Sequence, residues 1–134
     1  MGTKAVAEQY FAAINEGRIA DMEKLKAPHF TYWISGEESW PFGGRVNDEK
    51  AAQLWAVVQD RFVEGPTLVV KAIIEQGQRA AVHIHVRALR KDGRVYDNQV
   101  VMLLTVVDGL ITEQCEFLDT IKVNELFCGP LDGE

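Results

Sequence analysis

Two features of the chain predict an α+β fold, with helices collected on one face of a curved antiparallel sheet. The first 62 residues carry apolar positions at helical spacing around one short strand-like run, whereas residues 67–118 read as four long β-rich runs. Two short Gly-containing turns, KDG at 91–93 and DG at 108–109, join three of those runs into a continuous meander, because Asp-Gly is a strong hairpin signal.

Taken in order, Thr3 is placed to cap a helix over KAVAEQYFAAINEG, with Val6, Tyr10, Ala13 and Ile14 on one side and Gly17 ending it. A second, short helix is expected from Arg18 to Leu25, stopped at Ala27-Pro28 because the residue before proline is pushed out of the helical region. HFTYWI, 29–34, is aromatic and β-branched and reads as a strand. The following SGEESWPFGG is rich in Gly and Pro, yet carries Trp40 and Phe42, and is read as a lid or rim. Asn47 caps a third helix, DEKAAQLWAVVQDRF, with Leu54, Trp55, Val58 and Phe62 as its buried stripe. Strand TLVVKAIIEQG opens the sheet, and Asp119-Thr120 caps a last short helix, IKVNELF. Residues 1–127 are expected to form one domain, with CGPLDGE, 128–134, as a mobile tail.

Composition narrows the classes of function. A net charge of -6 and a pI near 5.1 oppose nucleic-acid binding, which needs clustered positive charge. Without an apolar run of 18 residues or a signal-peptide layout, a bilayer span is not expected, and the cytoplasm is the default location. Cys115 and Cys128 have no metal or redox spacing.

The turns decide which side chains share a face. If each Gly takes the left-handed position of a three-residue loop with a bulge, Arg90 pairs with Arg94 and Val106 with Leu110. Val86 then faces Asn98, Ile84 faces Val100 and Val82 faces Met102; on the next strand, Met102 faces Gln114, Val100 faces Glu116 and Asn98 faces Leu118. That mostly apolar face is the one the helices can cover, and it would line a cavity. His83, His85, Arg87, Gln99, Cys115 and Phe117 fall on the other face, for which a homodimer contact is the economical cover. A two-residue loop at either turn would instead swap faces for one strand and bring His83, His85 and Arg87 into the pocket.

The stretches AEQYFAAINEGRIADMEKL, GEESWPFGGR and VVDGLITEQCEFLDT resemble the SnoaL-like family of the NTF2-like, ketosteroid-isomerase-like superfamily, over nearly the whole chain in element order. The resemblance implies a cone-shaped α+β barrel, its concave face covered by three N-terminal helices, and a range of activities from isomerases and cyclases to dehydratases and epoxide hydrolases. Tyr10, seven residues before Gly17, matches the oxyanion-hole tyrosine of ketosteroid isomerases. Met102 stands where their protonated aspartic acid would be, and Ser35 is the nearest match to their general base, so steroid-type isomerisation is not implied. EFLD is similar to the final-strand motif of the limonene-epoxide-hydrolase branch, where Glu116 takes the carboxylate position; the rest of that branch's triad is not evident.

Glu116 is the sharpest candidate, because a carboxylate set into an apolar face has its charged form disfavoured and becomes usable as an acid or base near neutral pH. Asn98 and Tyr10 are the expected orienting groups for a substrate oxygen. Trp33, Trp55, Ile84 and Val100 are expected to line the ligand site with Met102, Gln114 and Leu118. His83 and His85 share a face without a third ligand, so no metal is assigned. The expectation is a homodimer that binds a small hydrophobic molecule, and, if it is an enzyme, one performing cofactor-free acid/base chemistry of the cyclase, isomerase or dehydratase kind. The competing reading is a non-catalytic binding or dimerisation module.

Overall fold

The computed structural model describes residues 2–133. Helix α1 (Thr3–Asn15) and helix α2 (Ile19–Lys24) lead into strand β1 (Lys26–Ile34); a two-residue strand β2 (Gly44–Arg45) precedes helix α3 (Asp48–Arg61). Strands β3 (Thr67–Gln76), β4 (Arg79–Leu89), β5 (Val95–Val107) and β6 (Leu110–Leu118) follow, then a short α4 (Thr120–Lys122) that continues as a π-helical turn over Val123–Phe127.

The six strands form one sheet in the order β2-β1-β6-β5-β4-β3. The expected meander is present, but β1 joins it parallel to β6, so the sheet is mixed. The long excursion through α3 and β3 to β5 supplies the crossover that a parallel neighbour requires. Apolar side chains of α1, Val6, Tyr10 and Phe11 among them, pack with Val82, Ile84, Val100 and Leu104 of the sheet to make the core.

The first hairpin turn is as expected. Arg90 N–H donates to Arg94 O at 2.9 Å and Gly93 sits at φ +87°, where a side chain would be strained. It sets Val86 opposite Asn98, Ile84 opposite Val100 and Val82 opposite Met102. The second turn is instead a two-residue loop: Asp108 and Gly109 both have positive φ, 53° and 78°, the type I′ signature, and Val107 pairs with Leu110. Alone this would have swapped the faces. The register shifts again between Thr105 and Val106, where β6 carries Thr112 as an extra residue, and the bulge restores the parity. Met102 therefore lies opposite Glu116, Val100 opposite Leu118 and Leu104 opposite Gln114, two residues from the expected pairing yet on the expected face.

Several local expectations are corrected. Gly2, not Thr3, occupies the cap position of α1; the Thr3 hydroxyl donates to Gly77 O at 2.8 Å and ties the helix start to the β3–β4 turn. β1 begins at Lys26 and runs through Ala27-Pro28, since an irregularity between Lys26 and Thr31 accommodates a residue that cannot donate to the ladder. Trp40 and Phe42 are buried in the core rather than standing at a rim, with Trp40 Nε1 donating to Ser35 O at 2.9 Å. Trp55, expected in the buried stripe of α3, is 56% exposed; Val58 and Phe62 bury as expected, and Asn47 accepts from Lys50 N at 2.8 Å as the cap.

The tail is tied down. Arg90, only 1% exposed, donates to Leu126 O at 2.9 Å, Gly129 O at 3.0 Å and Pro130 O at 2.8 Å, and it pairs with Asp92 at 3.1 Å. Arg61 donates to Cys128 O and Gly129 O, and Asp132 N–H donates to Asp92 at 3.0 Å. Phe127 is thereby held against Phe62 and Tyr96, with ring centroids 5.4 and 5.6 Å away. Glu134, the last residue of the expected tail, lies outside the described residues.

Candidate functional site

Alternation along β6 puts Gln114 and Glu116 on the inner face, both buried. Parallel pairing sets Tyr32 beside Gln114 and Ile34 beside Glu116, so these two β1 residues share that face. The Tyr32 hydroxyl donates a short hydrogen bond to Oε1 of Glu116. Among the described residues no other side-chain donor reaches this carboxylate, and Arg79 and Arg87 of β4 are exposed on the outer face of the sheet.

Burial pushes the Glu116 carboxyl above its ordinary range, and the Tyr32 hydrogen bond partly opposes this by favouring the anion. The same physics acts on the phenols. Burial, and then the Glu116 charge, drive Tyr32 far above the usual tyrosine value; Tyr10 and Tyr96 are raised too, first by burial. All three phenols remain neutral, Tyr10 and Tyr32 as donors and Tyr96 as acceptor from Asn98 Nδ2, while the carboxyl is the group able to gain or lose a proton.

Tyr10 and Asn98 are both engaged with protein groups. The Tyr10 hydroxyl donates to Gln114 Oε1 at 2.7 Å. Asn98 is fully buried and its amide is saturated: Nδ2 donates to Tyr96 OH at 2.9 Å and Asp119 O at 3.1 Å, and Oδ1 accepts from Asp119 N at 3.2 Å. It holds the junction between β6 and α4. Ile84, Val100, Met102 and Leu118 fall on the same inner face as Glu116. Trp33 does not: it pairs with Cys115 on the outer face, packs at a tilt against Phe117 with ring centroids 5.4 Å apart and donates to Glu37 at 2.8 Å. Trp55 stands in solvent. Tyr32 went unassigned from sequence because no tight turn fixes the register of β1 against β6.

Clefts open on the surface of the described residues, two of them lined by residues other than Glu116. One of about 510 Å³ is lined by Ala27, Pro28, His29, Thr105 and Glu113, among others, and the second, of about 460 Å³, lies between α1 and α2 beside Arg18 and Asp21. On the outer face His83 bonds Gln99 at 2.8 Å and His85 bonds Asp97 at 2.5 Å, a pairing that lowers the Asp97 pKa.

A half-open cone of mixed sheet with helices over its inner face defines an NTF2-like fold. Solved structures agree. An NTF2-like protein of unknown function from Burkholderia pseudomallei has a TM-score of 0.78 at 17% identity, with 93% of this chain and 96% of that one covered. TerC, co-crystallised with polyporic acid, has 0.78 at 20% identity over 93% and 97%. IdmH of Streptomyces antibioticus, described as a proposed polyketide cyclase, has 0.71 at 20% identity over 90% and 94%. The family model for the SnoaL-like domain matches residues 7–114, and the chain belongs to that family. No curated protein matches it. Among the described residues no helix is long and apolar enough to cross a membrane.

Proposed function

We propose that the inner face of this SnoaL-like domain receives a small hydrophobic molecule and that Glu116 moves a proton on it, in cofactor-free chemistry of the cyclase, isomerase or dehydratase kind. The observation that carries the reading is the Glu116 carboxyl: buried in a mostly apolar face, raised in pKa, and held through one oxygen by the neutral hydroxyl of Tyr32. Its other oxygen is left to act on a ligand. Ile84, Val100, Met102 and Leu118 supply apolar walls. The cyclase proposed for IdmH and the co-crystallisation of TerC with polyporic acid are in keeping with such a site, on the same fold.

A second reading, a binding module without catalysis, is favoured by the engagement of Tyr10 and Asn98 with protein partners and by the position of both clefts away from Glu116. The homodimer belongs to the proposal as well, formed through the outer face of the sheet.

Mass spectrometry of whatever co-purifies identifies the molecule carried. Glu116→Gln is expected to retain that molecule and to lower its conversion by at least 100-fold, the usual scale of a lost acid/base group. Unchanged turnover removes the proton-transfer role. Conversion by neither protein leaves the binding-module reading in its place.

A further inference from the structure

The larger cleft is built where two strand pairings break at the same place. Between β1 and β6 the pairing passes from Lys26 opposite Ile111 to Thr31 opposite Glu113, so β1 advances five residues while β6 advances two. The surplus of β1 swings out through Ala27, Pro28 and His29, where proline has no N–H to give to a ladder. On the β6 side Thr112 is skipped in both of its strand pairings, and Val107, Asp108 and Leu110 of the β5–β6 turn form the other wall. The resulting concavity of about 510 Å³ is of the size that small-molecule sites take.

The charge around this cleft is one-sided. Ala27, Pro28, Val107 and Leu110 give it an apolar body, and Asp108 and Glu113 stand in its lining with no ion-pair partner among the described residues. No lysine or arginine lines it. Arg79 stands two strands from Glu113, across Thr105, roughly 10 Å away at the ordinary strand spacing, and makes no ion pair with it. The cleft between α1 and α2 is the opposite case, because its Asp21 is held by Arg18 at 2.8 Å and Lys24 lines the same space. Thr31, Thr105 and Thr112 add hydroxyl oxygens to the larger cleft, so its polar groups are chiefly able to accept. They do not converge on a point: among the described residues no three His, Cys, Asp or Glu side chains are grouped to hold a metal ion.

We propose that this cleft binds a small organic cation, a primary ammonium carried on a compact aromatic or aliphatic body. An ammonium has three N–H donors and no acceptor, which suits a rim of carboxylates and hydroxyls, and the apolar walls remove its body from water. Exposed ion pairs are individually weak, so the carboxylates set the preference for charge more than the overall affinity. Thr31, Thr105 and Glu113 lie side by side on the outer face of the sheet, whereas Glu116 points inward, so this site is independent of the proton chemistry proposed for the inner face.

The test titrates isotope-labelled full-length protein with phenethylamine, phenethyl alcohol and hydrocinnamate near neutral pH, following backbone amide shifts. The amine is expected to bind roughly 3- to 10-fold tighter than the alcohol, with the carboxylate weakest and the preference shrinking as salt is added. The shifts should gather at residues 27–31 and 105–113, around the lining. A double variant, Asp108→Asn with Glu113→Gln, should bring the amine down to the affinity of the alcohol and leave the alcohol unchanged. Both substitutions are surface changes, and asparagine accepts the positive φ of 53° at position 108, so the fold is retained. Equal affinity of amine and alcohol for wild type overturns the proposal. So does a preference that survives in the double variant, which would assign the attraction to the net charge of -6 as a whole. Shifts centred on inner-face residues such as Tyr10 and Ile84, or no saturable shifts with any of the three probes at millimolar concentration, overturn it as well.

Discussion

A carboxylate buried for use should weaken the fold that holds it, and Glu116 gives that idea a measurable sign. Its folded pKa is raised, so the folded protein binds the proton more tightly than the unfolded chain does. Ionisation therefore opposes folding from about pH 4.3 upward, and the full cost is present above the folded value. Glu116→Gln keeps an oxygen for Tyr32 and removes the charge. It is expected to melt at a higher temperature than wild type at pH 8, with the difference closing as the pH falls toward 4; equal melting temperatures at pH 8 would contradict the burial cost. The carboxylate itself was legible in the sequence, because a lone acid at an inward position of an apolar strand has few bland explanations. Its partner was not. Tyr32 and Trp33 are adjacent aromatics on a strand whose neighbour is some 80 residues away, and nothing local says which of them faces in. The roles expected of Trp33 and Trp55 failed for related reasons: a strand position can be one residue out of phase, and an aromatic at helical spacing can sit at the edge of the stripe.

Among the elements, the two hairpins show how far turn chemistry carries. KDG specified both loop and register. Asp108-Gly109 fits either of two loops of opposite parity, and the structure takes the one that would reverse the faces, then reverses them back with the bulge at Thr112. No residue type announces that bulge, so the correct face came with pairings displaced by two. The tail was less legible still, because arginine is ordinarily a surface residue and the acceptors that hold Arg90 are backbone carbonyls, which any sequence supplies. Arg90→Met leaves those carbonyls and Asp92 without their main donor and is expected to destabilise the fold by about 3 kcal/mol or more, read by urea denaturation. A loss under ~1 kcal/mol would mean that the tail contributes little. Hydrogen bonding from Arg90 holds the Asp92 carboxyl well below the usual carboxylate range, so its support is fully present above about pH 4 and is lost as the pH falls toward the depressed value. Proteolysis of the C-terminal segment should therefore be slow at neutral pH and accelerate in acid before the rest of the chain yields.

At the scale of the whole molecule, the α+β class followed from a helical first half and a four-strand second half, and the parallel placement of β1 was the part that periodicity does not encode. What the molecule leaves uncovered is the outer face of its sheet. Val69, Ile74, Val101 and Phe117 are substantially exposed there, with Trp33 packed against Phe117 and the His83–Gln99 and His85–Asp97 pairs among them. A charged protein with net -6 has no solubility need for such a surface, and apolar groups grouped on one sheet face are those that a partner removes from water. A second copy is the simplest occupant, since a two-fold contact lets the same patch cover itself, and a stable pair needs roughly 800 Å² from each partner. Sedimentation at tens of micromolar is expected to give twice the 15.0 kDa chain mass. Phe117→Glu should return a monomer with an unchanged circular-dichroism spectrum, because this side chain points away from the core and its charge would be buried only by association. A wild-type protein that sediments as a monomer at that concentration removes the dimer from the proposal, and leaves the proton chemistry of Glu116 on the opposite face to be decided by its own experiments.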